Sequence, residues 1–214
     1  MTLYEELQES VIMGQEDKVK EIVNGLLDKG SKPREVISEG LVGGMTVVGA
    51  KFKTGEMFIP EVIASATAMT KGLKILKPLI VGEELSTISA GKVVLGTVQG
   101  DIHYIGKKLV GMIMESGGFT VVDIGVDVPP DKFIEATERE QPDILGLSGL
   151  LTTTIPRMKD VVEALKRSNL RDKVRVMVGG APVSQDFADS IGADAYAPNA
   201  VSAVDKARQL MGQS

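Results

Sequence analysis

The chain has 214 residues and a formal net charge of -5. This length allows one or two domains, each able to bury a core. The negative charge argues against a nucleic-acid partner, because binding to a phosphate backbone depends on clustered Lys and Arg. The chain contains no cysteine, which excludes disulfides, thiolate zinc sites, iron–sulfur clusters and cysteine nucleophiles.

We expect no signal for export or membrane insertion in this sequence. The N-terminus, Met1-Thr2-Leu3-Tyr4-Glu5-Glu6, is acidic, whereas a secretory signal begins with basic residues. No apolar run reaches the ~18 residues of a membrane-spanning helix. We therefore expect a cytoplasmic protein with no membrane partner, which the absence of cysteine also fits.

Residues 1–80 predict four helices with short links, as in a helical bundle. Thr2 and Glu5 have the spacing of a capping box, so the first helix should begin there. We expect Ser31 to cap the third helix, with Pro33 in its first turn. The other helix boundaries are marked by breakers, which are Gly14, Gly30, Pro60 and Pro78.

The third predicted helix contains Gly40, Gly43, Gly44 and Gly49. Each glycine should cost up to about 1 kcal/mol relative to alanine. Two explanations are open. The glycines either allow close approach of a neighbouring helix, or they break or kink this one.

The sequence pattern changes across residues 81–91, which we interpret as an inter-domain linker. Beyond it, strand patterns near residues 93–98, 120–124, 144–148, 174–178 and 194–196 alternate with helical patterns at 105–116, 130–140, 156–167, 184–191 and 200–211. This alternation predicts a five-stranded, doubly wound parallel sheet with helices on both faces. We therefore expect a helical domain at 1–80 and an α/β domain at 92–214.

The only histidine of the chain, His103, lies in the loop after the first predicted strand. Open α/β sheets bind ligands at the carboxyl ends of their strands. Neutral imidazole is the commonest side-chain metal ligand, and its second nitrogen usually donates to a carboxylate. Asp101 is two residues away, so the pair can supply a ligand and its hydrogen-bond partner. The alternatives are a histidine satisfied by hydrogen bonds alone, and a nucleophile-activating dyad that lacks a neighbouring Ser or Cys.

Two further strand ends carry features that match this loop. Ser148-Gly149-Leu150 follows the third predicted strand, and Gly179-Gly180 follows the fourth. In this order, Asp-x-His-x-x-Gly, Ser-x-Leu and Gly-Gly resemble the cobalamin-binding domains that hold their cofactor in the base-off form. This resemblance covers about residues 90–212. In addition, residues 52–62 resemble the helical cap domain of corrinoid methyltransferase proteins, including methionine synthase.

The resemblance implies a role for three side chains. His103 would be the lower axial ligand of cobalt, and Asp101 would accept a hydrogen bond from its far nitrogen. Thr154 would place a hydroxyl next to Asp101, where methionine synthase has a serine. Such a relay would couple cobalt coordination to protonation, and would therefore tune the ligand rather than act as a general base.

The same resemblance implies a cofactor pocket at the strand ends. Its remaining residues would be Gly100, Ile102, Gly106, Ser148, Leu150, Thr152, Gly179, Gly180, Tyr196 and Ala197, with Asn199 nearby. The glycines would allow close approach of the corrin and its nucleotide tail, and the hydroxyls of Ser148 and Thr152 would hydrogen-bond the nucleotide base. Leu150 would pack against that base. Tyr196, Ala197 and Asn199 are equally well explained as ordinary surface contacts.

In the helical domain, the resemblance implies that Phe52, Ile59 and Val62 cover the upper face of the corrin. A lid that excludes water would protect a reactive group beneath it. The alternative for each residue is a place in the bundle core. Phe52 is favoured for the lid, because we expect it in the link between two helices.

The function implied is that of a corrinoid carrier, with cobalamin or a related corrinoid as its cofactor. It would accept a methyl group on cob(I)alamin from a substrate-specific methyltransferase. A second methyltransferase would pass this group to tetrahydrofolate or a thiol, in O- or N-demethylation, and a reductive activase would be a third partner. No catalytic barrel is recognisable beside the two modules, so we expect a non-catalytic subunit. The alternatives are the small subunit of an adenosylcobalamin mutase, which lacks the cap, and a cobalamin-dependent sensor, which would need a DNA-binding region.

Overall fold

The computed structural model describes residues 1–80 and 90–212, and their contacts divide the chain into two compact units. One unit is helical, and the other contains a parallel sheet with its helices. Most of the predicted linker, residues 81–89, lies outside the described residues, so the linker stays a prediction. Within the described ranges, no helix is both long enough and apolar enough to cross a membrane.

The helical unit contains four stretches that pack against one another, as predicted. They are α1 (Leu3–Ile12), α2 (Glu16–Asp28), a continuous run formed by α3 (Pro33–Glu35), a π-helix (Val36–Val42) and α4 (Gly43–Thr54), and finally α5 (Ile59–Leu76) with a 3₁₀ turn (Lys77–Leu79). Fully buried residues such as Leu7, Val11 and Val19 come from the apolar faces that the sequence predicts.

The predicted cap of α1 is confirmed, whereas that of the third stretch is wrong. The Thr2 hydroxyl accepts from the Glu5 backbone N–H at 3.2 Å, and the Glu5 carboxylate accepts from the Thr2 N–H at 2.7 Å. The third stretch begins at Pro33, so the capping position falls on Lys32 rather than Ser31. Lysine has no side-chain acceptor, and this helix start has no side-chain cap.

Three of the four glycines in the third stretch allow close approach to α1, whereas Gly49 does not. A Cβ atom at these three positions would clash with α1, at 2.4 Å from Gly40 to Leu7, 2.7 Å from Gly43 to Gln8 and 2.9 Å from Gly44 to Val11. At Gly49 nothing lies within 4 Å. The stretch is also irregular, because its centre is a π-helix. Both explanations that the sequence left open therefore hold in part.

The second unit is the predicted five-stranded parallel sheet, with strand order β2-β1-β3-β4-β5. The strands are β1 (Lys92–Thr97), β2 (Thr120–Asp123), β3 (Ile144–Ser148), β4 (Arg175–Gly179) and β5 (Ala195–Ala197). The helices are α6 (Ile105–Ser116), α7 (Pro130–Glu140), α8 (Pro156–Arg167), α9 (Gln185–Ile191) and α10 (Ala200–Leu210). This is the flavodoxin-like strand order, in which the direction of winding reverses between β1 and β3.

The apolar strand residues form the core of the sheet unit. Val94, Leu145 and Val176 of the three central strands are fully buried, and Phe133 of α7 and Met158 of α8 pack in the same cluster. Burying one such side chain contributes ~1.5–3 kcal/mol. This core holds the carboxyl ends of the central strands in fixed positions, and ligands bind at that edge in sheets of this type.

Candidate functional site

Three of the strand ends that carry the sequence motifs lie side by side in the sheet. Thr97, at the end of β1, is paired with Ser148 at the end of β3. Ser148 is paired in turn with Gly179 at the end of β4. The loops that follow these strands therefore leave the sheet next to one another, at the point where its winding reverses.

The Asp101 carboxylate connects two of these loops. It is completely buried and accepts hydrogen bonds from donors on both sides. Its Oδ1 accepts from the His103 backbone N–H at 3.0 Å and from His103 Nδ1 at 2.7 Å. Its Oδ2 accepts from the backbone N–H groups of Leu150 at 2.7 Å and Leu151 at 3.2 Å, and from the Thr154 hydroxyl at 2.9 Å. The side chains of His103, Asp101 and Thr154 therefore form one continuous hydrogen-bonded chain.

The hydrogen-bond donors around the Asp101 carboxyl group determine whether it is ionised. Burial by itself would raise the pKa of this carboxyl group. Hydrogen bonds from the Leu150 N–H, from His103 and from the Thr154 hydroxyl outweigh burial, and they hold the pKa well below its usual range. Asp101 is therefore an anion that can orient the imidazole ring of His103.

The His103 ring is fixed on one side and open on the other. With Nδ1 donating to Asp101, the lone pair of the neutral ring lies on Nε2. Among the described residues, none hydrogen-bonds Nε2, and the side chain is 47% exposed. The backbone is also anchored, because the buried Thr97 hydroxyl donates to the His103 carbonyl at 2.9 Å. An exposed, oriented nitrogen lone pair of this kind can coordinate a metal.

Gly180, directly after β4, must be a glycine because of the protein backbone itself, and Gly179 at the end of β4 is tightly packed. A Cβ atom on Gly180 would lie 1.8 Å from the Gly149 carbonyl oxygen, and Gly180 has a φ angle of +143°. A Cβ atom on Gly179 would lie 3.1 Å from the Ala197 carbonyl oxygen. The loops after β3 and β4 and the end of β5 therefore lie too close together to accommodate larger side chains easily at these two positions, whether or not a ligand tail lies beside them.

The other residues predicted for the pocket surround the same strand ends. Ile102, Gly106, Leu150 and Thr152 are exposed, while Ser148 and Tyr196 are half-buried and Ala197 is buried. Gly100 has a φ angle of +84°, a conformation that favours glycine. Asn199 has a structural explanation, since its side chain accepts from the Ser202 N–H at 2.9 Å and caps α10. The exposed residues supply surface that a large planar ligand can cover.

The residues predicted to form a lid differ in their exposure. Phe52 lies in the last turn of α4 and is half-buried, so its expected place in the link between helices is wrong. The helix extends past Phe52 to Thr54, and Gly55, with a left-handed φ angle, ends it. Ile59 is exposed and Val62 is buried. Sequence reasoning missed Phe58 and Ile63, which are exposed next to Ile59 at the start of α5.

Sequence reasoning also missed a group of polar residues that support the His103 loop. They are Thr97, the ion pair of buried Lys107 with exposed Asp123, and Asp127 in the loop after β2. The Lys107 ammonium group forms an ion pair with the Asp123 carboxylate and so links α6 to the end of β2. The available signal for two of them was position, because Thr97 and Asp123 are the last residues of strands β1 and β2.

The geometry fits a base-off corrinoid better than a chelated metal ion. His103 offers a single exposed nitrogen, which suits a cobalt atom whose other ligands come from a macrocycle. The surface around it is built from exposed Ile102, Leu150 and glycine backbone, which suits a flat apolar ring. The donor set and the surrounding surface are thus both consistent with the cofactor that the sequence motifs imply.

Comparisons with known proteins agree with this geometry. Residues 91–205 match the model of a B12 binding domain, and residues 3–77 match a second family model that is also described as a B12 binding domain. The chain belongs to the B12-binding corrinoid proteins. Its cofactor is accordingly of the cobalamin type.

Two curated members of this family align with almost the whole chain. The dimethylamine corrinoid protein of Methanosarcina barkeri is 47% identical over 210 residues, which cover 98% of this chain and 97% of that protein. A corrinoid protein of Desulfitobacterium hafniense is 44% identical over 214 residues, which cover 100% of this chain and 99% of that protein. The alignments therefore include both B12-binding segments.

A solved structure extends the comparison to a methyltransferase assembly. The methanol:cobalamin methyltransferase complex MtaBC from Methanosarcina barkeri matches with a TM-score of 0.87 and 30% identity. The match covers 99% of this chain and 80% of the matched chain. The matched chain is therefore part of a methyltransferase complex.

Proposed function

We propose that this corrinoid protein carries methyl groups between two methyltransferases, in the demethylation of small N-methyl or O-methyl compounds. The observation that carries the proposal is the chain of hydrogen bonds from Thr154 through Asp101 to His103, with Nε2 of His103 exposed. The relatives support the choice of substrate class, since they include a dimethylamine corrinoid protein and a methanol:cobalamin methyltransferase complex.

In this proposal the bound corrinoid supplies a cobalt atom that can take up and release a methyl group. His103 would hold that atom through its exposed Nε2. Asp101 fixes the orientation of the ring and, as an anion, makes the imidazole a stronger donor. Thr154 and the N–H groups of Leu150 and Leu151 keep Asp101 ionised, so the proton of the relay stays on Nδ1 of His103.

The partners follow from the carrier role. A substrate-specific methyltransferase would load the methyl group, and an acceptor methyltransferase would remove it to tetrahydrofolate or a thiol. A reductive activase would return oxidised cofactor to the active state. Phe52 and Ile59 would belong to the lid that gives way when a partner docks, and Val62, which is buried, would support it from the bundle core. A cytoplasmic location also stays a prediction, which cell fractionation would test.

The test is reconstitution of the purified protein with hydroxocobalamin. The parent, the His103→Ala variant and a Glu138→Ala control on α7 are loaded and their visible spectra recorded. The proposal predicts a shifted spectrum in His103→Ala alone. The reduced parent is then given methanol or dimethylamine with the matching methyltransferase, and methyl transfer to the bound cofactor is followed. Identical spectra for the three proteins, or no transfer from any donor, would refute the proposal.

A further inference from the structure

The loop after β2 is connected to the His103 loop by several hydrogen bonds. The Thr97 N–H donates to the Gly125 carbonyl at 3.0 Å, and the Val128 N–H donates to the Thr97 carbonyl at 2.9 Å. Asp123, at the start of this loop, is the partner of buried Lys107 on α6. The loop therefore contacts both the strand that precedes the His103 loop and the helix that follows it.

Asp127 makes the most direct of these connections. Its carboxylate accepts from the Gly100 backbone N–H at 2.7 Å, and its own N–H donates to the Asp101 carbonyl at 2.9 Å. The two bonds hold the adjacent residues Gly100 and Asp101 from one side. Because Asp101 orients the His103 ring, the position of this short backbone segment also sets the direction of the ring.

The backbone at Asp127 indicates that the residue is held in place. Its φ angle is +53°, and it is one of three non-glycine residues with a positive φ angle within residues 1–80 and 90–212. The other two, Gln141 and Asn169, follow the ends of helices α7 and α8. Asp127 follows no helix, and its side chain bonds a residue 27 positions away rather than its own turn. The positive φ angle of Asp127 therefore accompanies a contact between the loop after β2 and the His103 loop.

We propose that Asp127 is a positioning residue that clamps Gly100 and Asp101 and thereby aims Nε2 of His103 at the metal. This inference rests on the proposed role of His103 as a cobalt ligand. Partners that orient a metal-binding histidine typically change metal affinity by ~10–100-fold when they are removed. Asp127 acts one step further out, so we expect an effect of about tenfold, at the lower end of that range.

Three substitutions at Asp127 distinguish the effect of losing the carboxylate from the effect of disfavouring the positive φ angle. Asp127→Ala removes the acceptor and disfavours the positive φ angle, whereas Asp127→Gly removes the acceptor but tolerates the angle. Asp127→Asn keeps an acceptor oxygen and also tolerates the angle. Glu138→Ala, which removes an exposed carboxylate from α7, controls for the change in net charge.

The first measurement uses the protein without cofactor. Amide hydrogen exchange at Gly100 is measured by NMR in the parent and in each variant. Asp127→Ala and Asp127→Gly should exchange about tenfold faster at Gly100, because the N–H loses its acceptor. Asp127→Asn and Glu138→Ala should stay close to the parent. Unchanged exchange in Asp127→Gly would show that the clamp does not exist.

The second measurement uses hydroxocobalamin as the ligand. Asp127→Gly should bind it about tenfold more weakly than the parent, and its reduced cobalt(II) form should show a larger fraction without imidazole nitrogen by electron paramagnetic resonance. Asp127→Asn should restore both properties. Parent-like affinity and spectrum in Asp127→Gly would overturn the inference, and so would a defect confined to Asp127→Ala. If the parent binds no hydroxocobalamin, the proposed function fails, and the exchange measurement alone decides whether the clamp exists.

Discussion

Replacing Gly180 with alanine should displace the loop that holds Asp101. The new Cβ atom would lie 1.8 Å from the Gly149 carbonyl oxygen, although such atoms essentially never approach closer than 3.0 Å. The loops after β3 and β4 must therefore move apart by roughly 1 Å, since a close-packed interior leaves no other space. Leu150 follows Gly149 directly, so its N–H would move away from Asp101, to which it donates at 2.7 Å.

Two costs add up in this variant. A non-glycine residue at a φ angle of +143° carries backbone strain of ~1–3 kcal/mol. Loss of a hydrogen bond to the buried Asp101 carboxylate costs a further ~1.5–3 kcal/mol. We therefore expect Gly180→Ala to lower the free energy of unfolding by about 2.5–6 kcal/mol, a large part of the ~5–15 kcal/mol typical of a folded protein.

Urea unfolding of the cofactor-free protein measures this loss. In a Tyr4→Phe background, the remaining tyrosines, Tyr104 and Tyr196, both lie in the sheet unit, so their fluorescence reports its unfolding. Gly106→Ala is the matched control, because no atom lies within 4 Å of its new Cβ and alanine is the better helix former. It should be as stable as the parent or slightly more so. If the free energy of unfolding of Gly180→Ala lies within about 1 kcal/mol of that of the parent, the two loops are not packed closely enough to exclude a Cβ atom at this position.

Three further substitutions test the relay and the helical unit. Thr154→Val should lower the free energy of unfolding by ~1.5–3 kcal/mol, because it removes a donor to the Asp101 carboxylate, whereas Thr153→Val on the exposed surface should be neutral in the same urea titration. The pKa of Asp101 is lowered in the folded state. The ionised carboxylate therefore contributes its full stabilisation of the fold above the pKa of an unfolded Asp, about 4, and this stabilisation is lost as the pH falls below that value. The stability difference between the parent and Asp101→Asn should therefore stay constant between about pH 7 and pH 5 and shrink as the pH falls below about 4, and a difference that stays constant down to about pH 3 would contradict this. Gly44→Ala should destabilise the helical unit by ~1–3 kcal/mol through overpacking, with Gly49→Ala neutral or stabilising in circular dichroism melts.

The sheet could be predicted from the sequence because its central strands are buried on both faces. Such strands appear as continuous apolar runs, and β1 and β3 lie within two residues of the predicted ranges. The site could be located for a related reason, since the carboxyl ends of parallel strands meet at one edge. Asp101, His103 and Thr154 are 53 residues apart at most, yet strand register brings them together.

Other features depend on information that local patterns do not contain. The π-helix at Val36–Val42 has the same apolar spacing as an α-helix, so only its hydrogen bonds distinguish it. Phe52 falls inside α4 because the helix extends to the turn at Gly55. The role of Asp127 arises from a bond to Gly100 across 27 positions of sequence, which no local motif signals.

Electron paramagnetic resonance of the protein with bound cobalt(II) cobalamin tests the central claim most directly. The chain has a single histidine, so growth on ¹⁵N-histidine labels only His103 among its imidazoles. If Nε2 of His103 coordinates the cobalt, the nitrogen splitting should change from triplets to doublets on labelling. Triplets that persist in the labelled protein would show that the nitrogen belongs to the base of the cofactor, and they would contradict the role assigned to His103.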